Sequence, residues 1–176
     1  LKYNIPIISD EIHSDLMLYG SRHTVMASVS KEIVGITVTC TSATKTFNLA
    51  GLQAATIFFP NHEMKNRFES FWSKMDVHRN NCFSLVAVEA AFRYGGEWLT
   101  QLLAYLESNI DYAWDYLKAN IPEIHFRKPE STYLIWLDCR DLGLKGDALP
   151  KFMVEQAGLA LNDGRSFGTE GAGYMR

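Results

Sequence analysis

Several features are scarce in this sequence of 176 residues. Lys and Arg never occur in runs longer than two and the net charge is −3, so the chain lacks the basic patch of a nucleic-acid-binding protein. No apolar stretch approaches the roughly 20 residues that a membrane-spanning helix needs. The cysteines, Cys40, Cys82 and Cys139, are odd in number and far apart. They indicate free thiols in a reducing compartment, and we expect a cytoplasmic protein.

The composition is that of a globular protein, with 47% hydrophobic and 21% charged residues. The chain opens on LKYNIP, which has no Met and no signal-peptide pattern, and closes on GAGYMR, which has the pattern of a strand. We therefore expect it to be a piece of a longer polypeptide.

Apolar patterns divide the chain into successive elements. Short continuous runs predict strands buried on both faces at 5–9, 32–39 and 54–59. Apolar residues at helical spacing predict three helices, which begin after the N-cap residue Asn61, near Ser84 and near Trp98. Beyond Pro122 the patterns predict strands at 124–127, 133–137 and 159–162 and a helix at 148–157. This order predicts an α/β portion at 1–105 and a smaller α+β portion at 106–176.

Lys45 follows the second predicted strand, within TCTSATKTFNLAGLQAA. A lysine at the end of a buried strand loses hydration, which disfavours its charged form. A neutral lysine amine is a nucleophile that reacts with aldehydes and ketones. The alternative is a solvated lysine in a surface loop, because most lysines are exposed.

Acidic and histidine side chains follow the first predicted strand. They are Asp10, Glu11, His13, Asp15 and His23. Alternate residues of an extended segment face the same side, so Glu11, His13 and Asp15 could converge on a divalent metal ion, although their spacing matches no established metal signature. A helix cap formed by Ser9 or Asp10 is a further alternative.

The segment SATKTFNLAG resembles the pyridoxal-phosphate attachment signature of the class I/II aminotransferases of fold type I. The positions that fit are Ser42, Thr44, Lys45, Leu49 and Gly51. The resemblance implies that Lys45 binds pyridoxal 5′-phosphate (PLP) covalently and that Ser42 contacts the phosphate. Gln53 stands where the family has an arginine that helps to hold the phosphate.

The segment IPIISDEIHSDL resembles the family's strand that ends in Asp and is followed by Tyr or His. By this resemblance Asp10 keeps the cofactor's ring nitrogen protonated, so that the ring can accept electrons. His13 then matches the residue that reaches the phenolic oxygen. A histidine at this position resembles the carbon–sulfur (C–S) lyase branch, the cystathionine β-lyase-like enzymes.

The segment LNDGRSFGTEGAGYMR resembles the family's closing segment, in which a Gly-rich loop leads to the arginine that binds the substrate α-carboxylate. Arg176 occupies that position, and Arg165 is the rival arginine. Between two predicted helices, the run His78, Arg79, Asn80 and Asn81 matches a region that lies near the dimer interface in related enzymes. A solvated loop is the alternative for that run.

The resemblance covers the whole chain and only the C-terminal part of the family's length. It implies part of the large PLP-binding α/β domain, with a mainly parallel sheet, at 1–105. It implies a linking helix and an incomplete small α+β domain at 106–176. The implied activity is cleavage of L-cystathionine or a related cysteine thioether to pyruvate, ammonia and a thiol by a homodimer, with no metal, nucleic-acid or membrane partner. An amino-acid aminotransferase and a non-catalytic sensor module are the alternatives.

Overall fold

The computed structural model describes residues 2–3, 5–77 and 79–176, so His78 lies outside the described residues. The chain folds as two compact units, Leu1–Leu103 and Ala104–Arg176. Their assignment to a large PLP-binding domain and a small C-terminal domain stays a prediction.

A three-stranded sheet organises the first unit, with β2 between β1 and β3. Its strands are β1 (Ile7–Asp10), β2 (Thr37–Thr41) and β3 (Thr56–Phe58). The strands are rich in Ile and Thr, whose branched side chains favour a pleated surface. β1 and β2 run parallel, with Asp10 opposite Cys40. β3 runs antiparallel to β2, so it departs from the direction expected of a mainly parallel sheet.

The strand predicted at 32–39 is wrong in its first half. Ser30 caps a one-turn helix, α1 (Lys31–Val34), because its Oγ accepts a hydrogen bond from Ile33 N at 3.3 Å. The strand begins only at Thr37, whose hydroxyl donates back to Ile33 O at 2.7 Å. The run of β-branched residues is therefore shared between a helical turn and a strand.

The described residues between β2 and residue 121 contain four α-helices. They are α2 (Ala43–Thr46), α3 (His62–Lys74), α4 (Cys82–Tyr94) and α5 (Gly96–Asn120). The predicted N-cap of α3 is confirmed, since Asn61 Oδ1 accepts a hydrogen bond from Met64 N at 2.9 Å. Asn81 caps α4 in the same way through Phe83 N, at 2.8 Å. Among the described residues, no helix combines the length and the apolar character needed to cross a membrane.

The second unit is built on a short antiparallel pair, β4 (Leu137–Asp138) with β5 (Tyr174–Met175), and on helix α6 (Ala148–Glu155). Its core holds the buried residues Cys139, Leu149, Met153 and Met175. The predicted strands at 124–127, 133–137 and 159–162 are largely wrong. Only the end of the second one pairs as a strand, while His125 forms an isolated bridge to Asp138.

Candidate functional site

The carboxyl ends of β1 and β2 meet at one edge of the sheet because the two strands run parallel. Asp10 is the last residue of β1, and Lys45 lies in α2, which follows β2 directly. The backbone ladder continues past Asp10, since Glu11 N donates to Cys40 O at 2.8 Å. In open α/β sheets, ligands bind outside the carboxyl ends of the strands. The sheet thus brings Asp10 and the turn of Lys45 to the same edge.

Ser42 shapes the turn that carries Lys45. Its Oγ accepts a hydrogen bond from Thr44 N at 3.0 Å and donates to Ala54 O at 2.5 Å. Thr44 Oγ1 lies 2.7 Å from Ser42 Oγ. Thr44 is the donor in this contact, because the single hydroxyl proton of Ser42 is donated to Ala54 O. A contact with a phosphate requires that proton to leave Ala54, so the predicted phosphate role of Ser42 stays a prediction.

The charges of Lys45 and Asp10 act on the imidazole of His13. Burial lowers the pKa of His13, the positive charge of Lys45 lowers it further, and the negative charge of Asp10 opposes both effects. The net pKa lies below the ordinary value, so the imidazole is neutral at pH 7. Because charges act strongly only at short range, these effects indicate that Lys45 and Asp10 both lie near His13. The side chain of Lys45 is half-buried. Its exposure therefore lies between that of the buried lysine and that of the solvated loop lysine considered from the sequence.

A second link joins the same two segments. The hydroxyl of Thr46, next to Lys45, donates to Asp15 Oδ2 at 2.9 Å. Thr46 is 0% exposed, whereas Asp15 lies at the surface. Within the segment of His13, Leu16 N donates to His13 O at 3.0 Å, and this hydrogen bond holds the segment in a turn. The sequence gives no sign of the Asp15–Thr46 bond, because its partners are far apart along the chain.

Glu11 is a buried carboxylate with several hydrogen-bond partners. Its Oε1 accepts from Ser9 Oγ at 2.9 Å and from Met26 N at 3.0 Å, and its Oε2 lies 2.9 Å from His23 Nε2. Burial alone raises the pKa of Glu11, but the hydrogen bonds from His23, Met26 and Ser9 outweigh it and the net pKa is lowered. The carboxylates of Glu11 and Asp15 are therefore engaged by protein groups, and the described part of the chain holds no cluster of three His, Cys, Asp or Glu suited to a metal ion.

The two candidate arginines of the second unit differ in their partners. Arg165 Nη2 lies 2.6 Å from Asp163 Oδ2 and 2.8 Å from Asp147 Oδ1, so its charge is compensated. Arg176 has no ion pair with any described Asp or Glu, and its guanidinium Cζ lies 4.3 Å from the ring centroid of Phe167. This contrast favours Arg176 over Arg165 as the arginine that is available to a carboxylate ligand.

The predicted interface residues lie in the connection between α3 and α4. Arg79 is exposed and its Nη2 lies 3.5 Å from Asp76 Oδ1, while Asn81 caps α4. The approach of Arg79, Asn80 and Asn81 to a neighbouring subunit stays a prediction.

Comparison with known proteins decides the family. The family model "Aminotransferase class I and II" matches residues 1–176. The chain belongs to this family. The prediction of the family is therefore confirmed.

Three similar proteins illustrate the relationship. The cystathionine β-lyase PatB of Bacillus subtilis (strain 168) is 40% identical over 176 residues, which are 100% of this chain and 46% of PatB. The cystathionine β-lyase of Corynebacterium glutamicum is 34% identical over 169 residues, 95% of this chain and 44% of that protein. A PLP-bound protein of Clostridium difficile 630, provisionally named an aminotransferase, is 48% identical with a TM-score of 0.96, over 99% of this chain and 45% of that one.

Two consequences follow from these matches. The predicted fold class, an α/β fold of the PLP-dependent aminotransferase type, is confirmed. The chain spans less than half the length of these curated relatives, 46% of PatB and 44% of the Corynebacterium glutamicum protein.

Proposed function

We propose that this chain is part of a PLP-dependent C–S β-lyase that cleaves L-cystathionine or a related cysteine thioether to pyruvate, ammonia and a thiol. The observation that carries the proposal is the parallel pairing of β1 and β2, which brings Asp10 and the turn of Lys45 to the same edge of the sheet. The family match supports it, and so do the cystathionine β-lyases of Bacillus subtilis and Corynebacterium glutamicum among the relatives. The activity proposed is that of the full-length protein.

The residues at the sheet edge fit PLP chemically. Lys45 offers a half-buried amine that would hold the aldehyde carbon of the cofactor. Asp10 offers an exposed carboxylate that would face the protonated ring nitrogen, and the neutral ring of His13 would reach the phenolic oxygen. Ser42 would contact the phosphate. When bound, PLP withdraws electrons from the substrate Cα.

The chain's own groups then have distinct tasks. Arg176 binds the substrate α-carboxylate through paired N–H donors and so orients the Cα–H bond. Once the substrate amine has replaced Lys45 on the aldehyde carbon, the freed amine of Lys45 would remove the Cα proton as a general base. Asp10 would keep the ring nitrogen of the bound cofactor protonated during this proton transfer. With the proton gone from Cα, a thiolate leaves from Cβ, and hydrolysis yields pyruvate and ammonia.

The alternative function is amino-acid transamination. The Clostridium difficile protein that is provisionally named an aminotransferase supports it. Lys45, Asp10 and Arg176 serve both reactions equally well, whereas His13 and Gln53 favour the lyase. A non-catalytic sensor module is the third possibility, and the substrate experiment below separates all three.

The substrate experiment uses the full-length protein with PLP and L-cystathionine. A lyase releases pyruvate and ammonia without any second keto acid. An aminotransferase forms a keto acid only after a 2-oxo acid acceptor is added. A protein that binds PLP and is inert in both assays is a sensor, and that result overturns the proposal.

The attachment of the cofactor is tested separately by borohydride reduction and peptide mass analysis. The reduced cofactor is expected on the peptide that contains Lys45. Lys45→Ala removes this label, and the matched variant Lys45→Arg, which keeps the positive charge but not the reactive amine, removes it as well. A label that persists in both variants would assign the attachment to another lysine.

The assembly and the location of the full-length protein stay predictions. We infer a homodimer, which light scattering of the purified protein tests. We infer a cytoplasmic location, which fractionation of cells tests.

A further inference from the structure

Arg176 has a fixed backbone and a charge that no described Asp or Glu compensates. Its N donates to Asn162 O at 2.9 Å, and Asn162 N donates back to Arg176 O at 2.8 Å. The side-chain Nε is buried and, within the part of the chain that the structure describes, has no hydrogen-bond partner. A buried donor of this kind calls for an explanation, because such groups are normally hydrogen-bonded.

The guanidinium of Arg176 lies over the face of the Phe167 ring. The distance from Cζ to the ring centroid, 4.3 Å, is that of a cation–π contact. Such a contact holds a guanidinium without using its N–H donors, whereas an Asp or Glu partner would use them. The neighbouring Arg140 shows the difference, since its Nε and Nη2 both donate to Asp138, at 2.9 and 2.6 Å.

Phe167 is itself held by an aromatic series. Its ring meets Trp136 edge to face, with centroids 5.5 Å apart and an interplanar angle of 75°. Trp136 stacks on Tyr174 at 5.5 Å and 20°, and Arg140 Cζ lies 4.9 Å from the Tyr174 centroid. The position of the Phe167 ring is therefore set by strand β5 and its neighbours.

Close backbone packing fixes the loop on which Phe167 lies. The loop consists of two short 3₁₀ turns, Gly164–Phe167 and Thr169–Gly171. A Cβ at Gly164 would collide with the carbonyl oxygen of Gly171, and a Cβ at Gly171 would collide with that of Gly164. Only glycine fits at both positions, so the two turns lie against each other in one arrangement.

We propose that Phe167 is a positioning residue that presets the guanidinium of Arg176 for the substrate α-carboxylate. The inference rests on the proposed function of Arg176. The ring face restrains the guanidinium plane before substrate arrives and leaves its N–H donors for the ligand. A preset guanidinium loses less conformational freedom on binding, so the expected effect of Phe167 is on substrate affinity and not on the chemical step.

The experiment measures the binding of 2-methylalanine to the full-length protein with PLP, by the change in cofactor absorbance. This amino acid has no Cα–H bond and cannot be turned over. Phe167→Leu is expected to raise the Kd of 2-methylalanine and the KM of cystathionine by about 3- to 10-fold, with kcat unchanged within about twofold. The matched variant Phe167→Tyr keeps the ring face and is expected to bind as the unmodified protein does.

The variant Arg176→Ala separates failure of the inference from failure of the proposed function. If Arg176→Ala leaves the Kd unchanged, the proposed carboxylate role of Arg176 is wrong. If Arg176→Ala weakens binding but Phe167→Leu does not, the positioning role of Phe167 is wrong while the proposed function stands. Equal losses in Phe167→Leu and Phe167→Tyr also overturn that role. Should Phe167→Leu fail to fold, Phe167→Met replaces it with the same expectation.

Discussion

The hydroxyl of Thr46 donates a hydrogen bond to Asp15 Oδ2 across 2.9 Å, and this bond joins the turn of Lys45 to the segment of His13. Thr46 is fully buried, and its hydroxyl needs a partner there. The two segments that carry the proposed cofactor contacts are therefore tied together by side chains as well as by the sheet.

Replacing Thr46 tests this tie. Thr46→Val keeps the shape of the side chain and removes the donor, so we expect a loss of about 1–2 kcal/mol in the free energy of unfolding. Thr46→Ser keeps the hydroxyl and serves as the control, with a smaller loss. Urea unfolding of the full-length protein measures both. Equal stability of the Val variant and the unmodified protein would show that the bond contributes nothing.

Removing the charge of Glu11 tests the buried carboxylate. Glu11 is 5% exposed and has hydrogen-bonding neighbours on both oxygens. We expect Glu11→Gln to cost about 1–3 kcal/mol at pH 7, because Gln cannot accept all of these bonds. Glu123→Gln, at an exposed position, is the control and should change stability by less than about 0.5 kcal/mol.

The pKa of Glu11 predicts how this cost varies with pH. The folded-state pKa is lowered from 4.5 by the hydrogen bonds that outweigh burial, so the carboxylate contributes stability above the unfolded-state value. That contribution is lost as the pH falls through the folded-state pKa. The stability difference between Glu11→Gln and the unmodified protein should therefore shrink below pH 4.5. A difference that grows on acidification would contradict the lowered pKa.

The titration of His13 tests the neighbourhood of Asp10 and Lys45. In the cofactor-free protein, Lys45→Met should raise the pKa of His13, because it removes a positive charge, and Asp10→Asn should lower it. An NMR titration of the imidazole ring measures both shifts. Since the folded-state pKa lies below the unfolded value of 6.5, His13 should also make the protein less stable as the pH falls below that value. An unchanged pKa of His13 in both variants would show that neither Lys45 nor Asp10 lies close to His13.

The thiol of Cys139 should resist alkylation in the native protein. Cys139 is 0% exposed, and burial, aided by the negative charge of Asp138, raises its pKa to about 11. Only the thiolate reacts, so iodoacetamide at pH 8 should label Cys139 after unfolding and not before. Peptide mass analysis follows the label. Rapid labelling in native conditions would show that this core opens readily.

The predicted site residues and the strands around them depend on different signals in the sequence, and the roles of those residues stay predictions. Asp10, His13, Ser42 and Lys45 belong to local segments whose residue order carries the resemblance, and the structure places Asp10 and Lys45 within electrostatic reach of His13. The strand at 32–39 was partly wrong because Ser30 caps a helical turn inside a β-branched run. An apolar run also does not show direction, so the antiparallel β3 could not be foreseen.

The supporting residues were missed for a different reason. The partners of Glu11 include Met26 and His23, and the partner of Thr46 is Asp15. These contacts join positions far apart in the sequence, so no spacing rule identifies them. Phe167 likewise stands in a Gly-rich segment that predicts a loop, and its contact with Arg176 depends on how two turns pack.

The parallel register of β1 and β2 fixes where the carboxylate of Asp10 lies relative to the turn of Lys45, although the two are remote in the chain. Insertions beside Gly20, an exposed position of the segment between these strands, leave this register unchanged and should be tolerated. Deleting one residue inside β1 instead turns the carboxylate of Asp10 to the opposite face of the sheet, because side chains alternate along a strand. Tolerance to changes in length should therefore be low from Ile7 through the buried Leu18 and should recover only near Gly20.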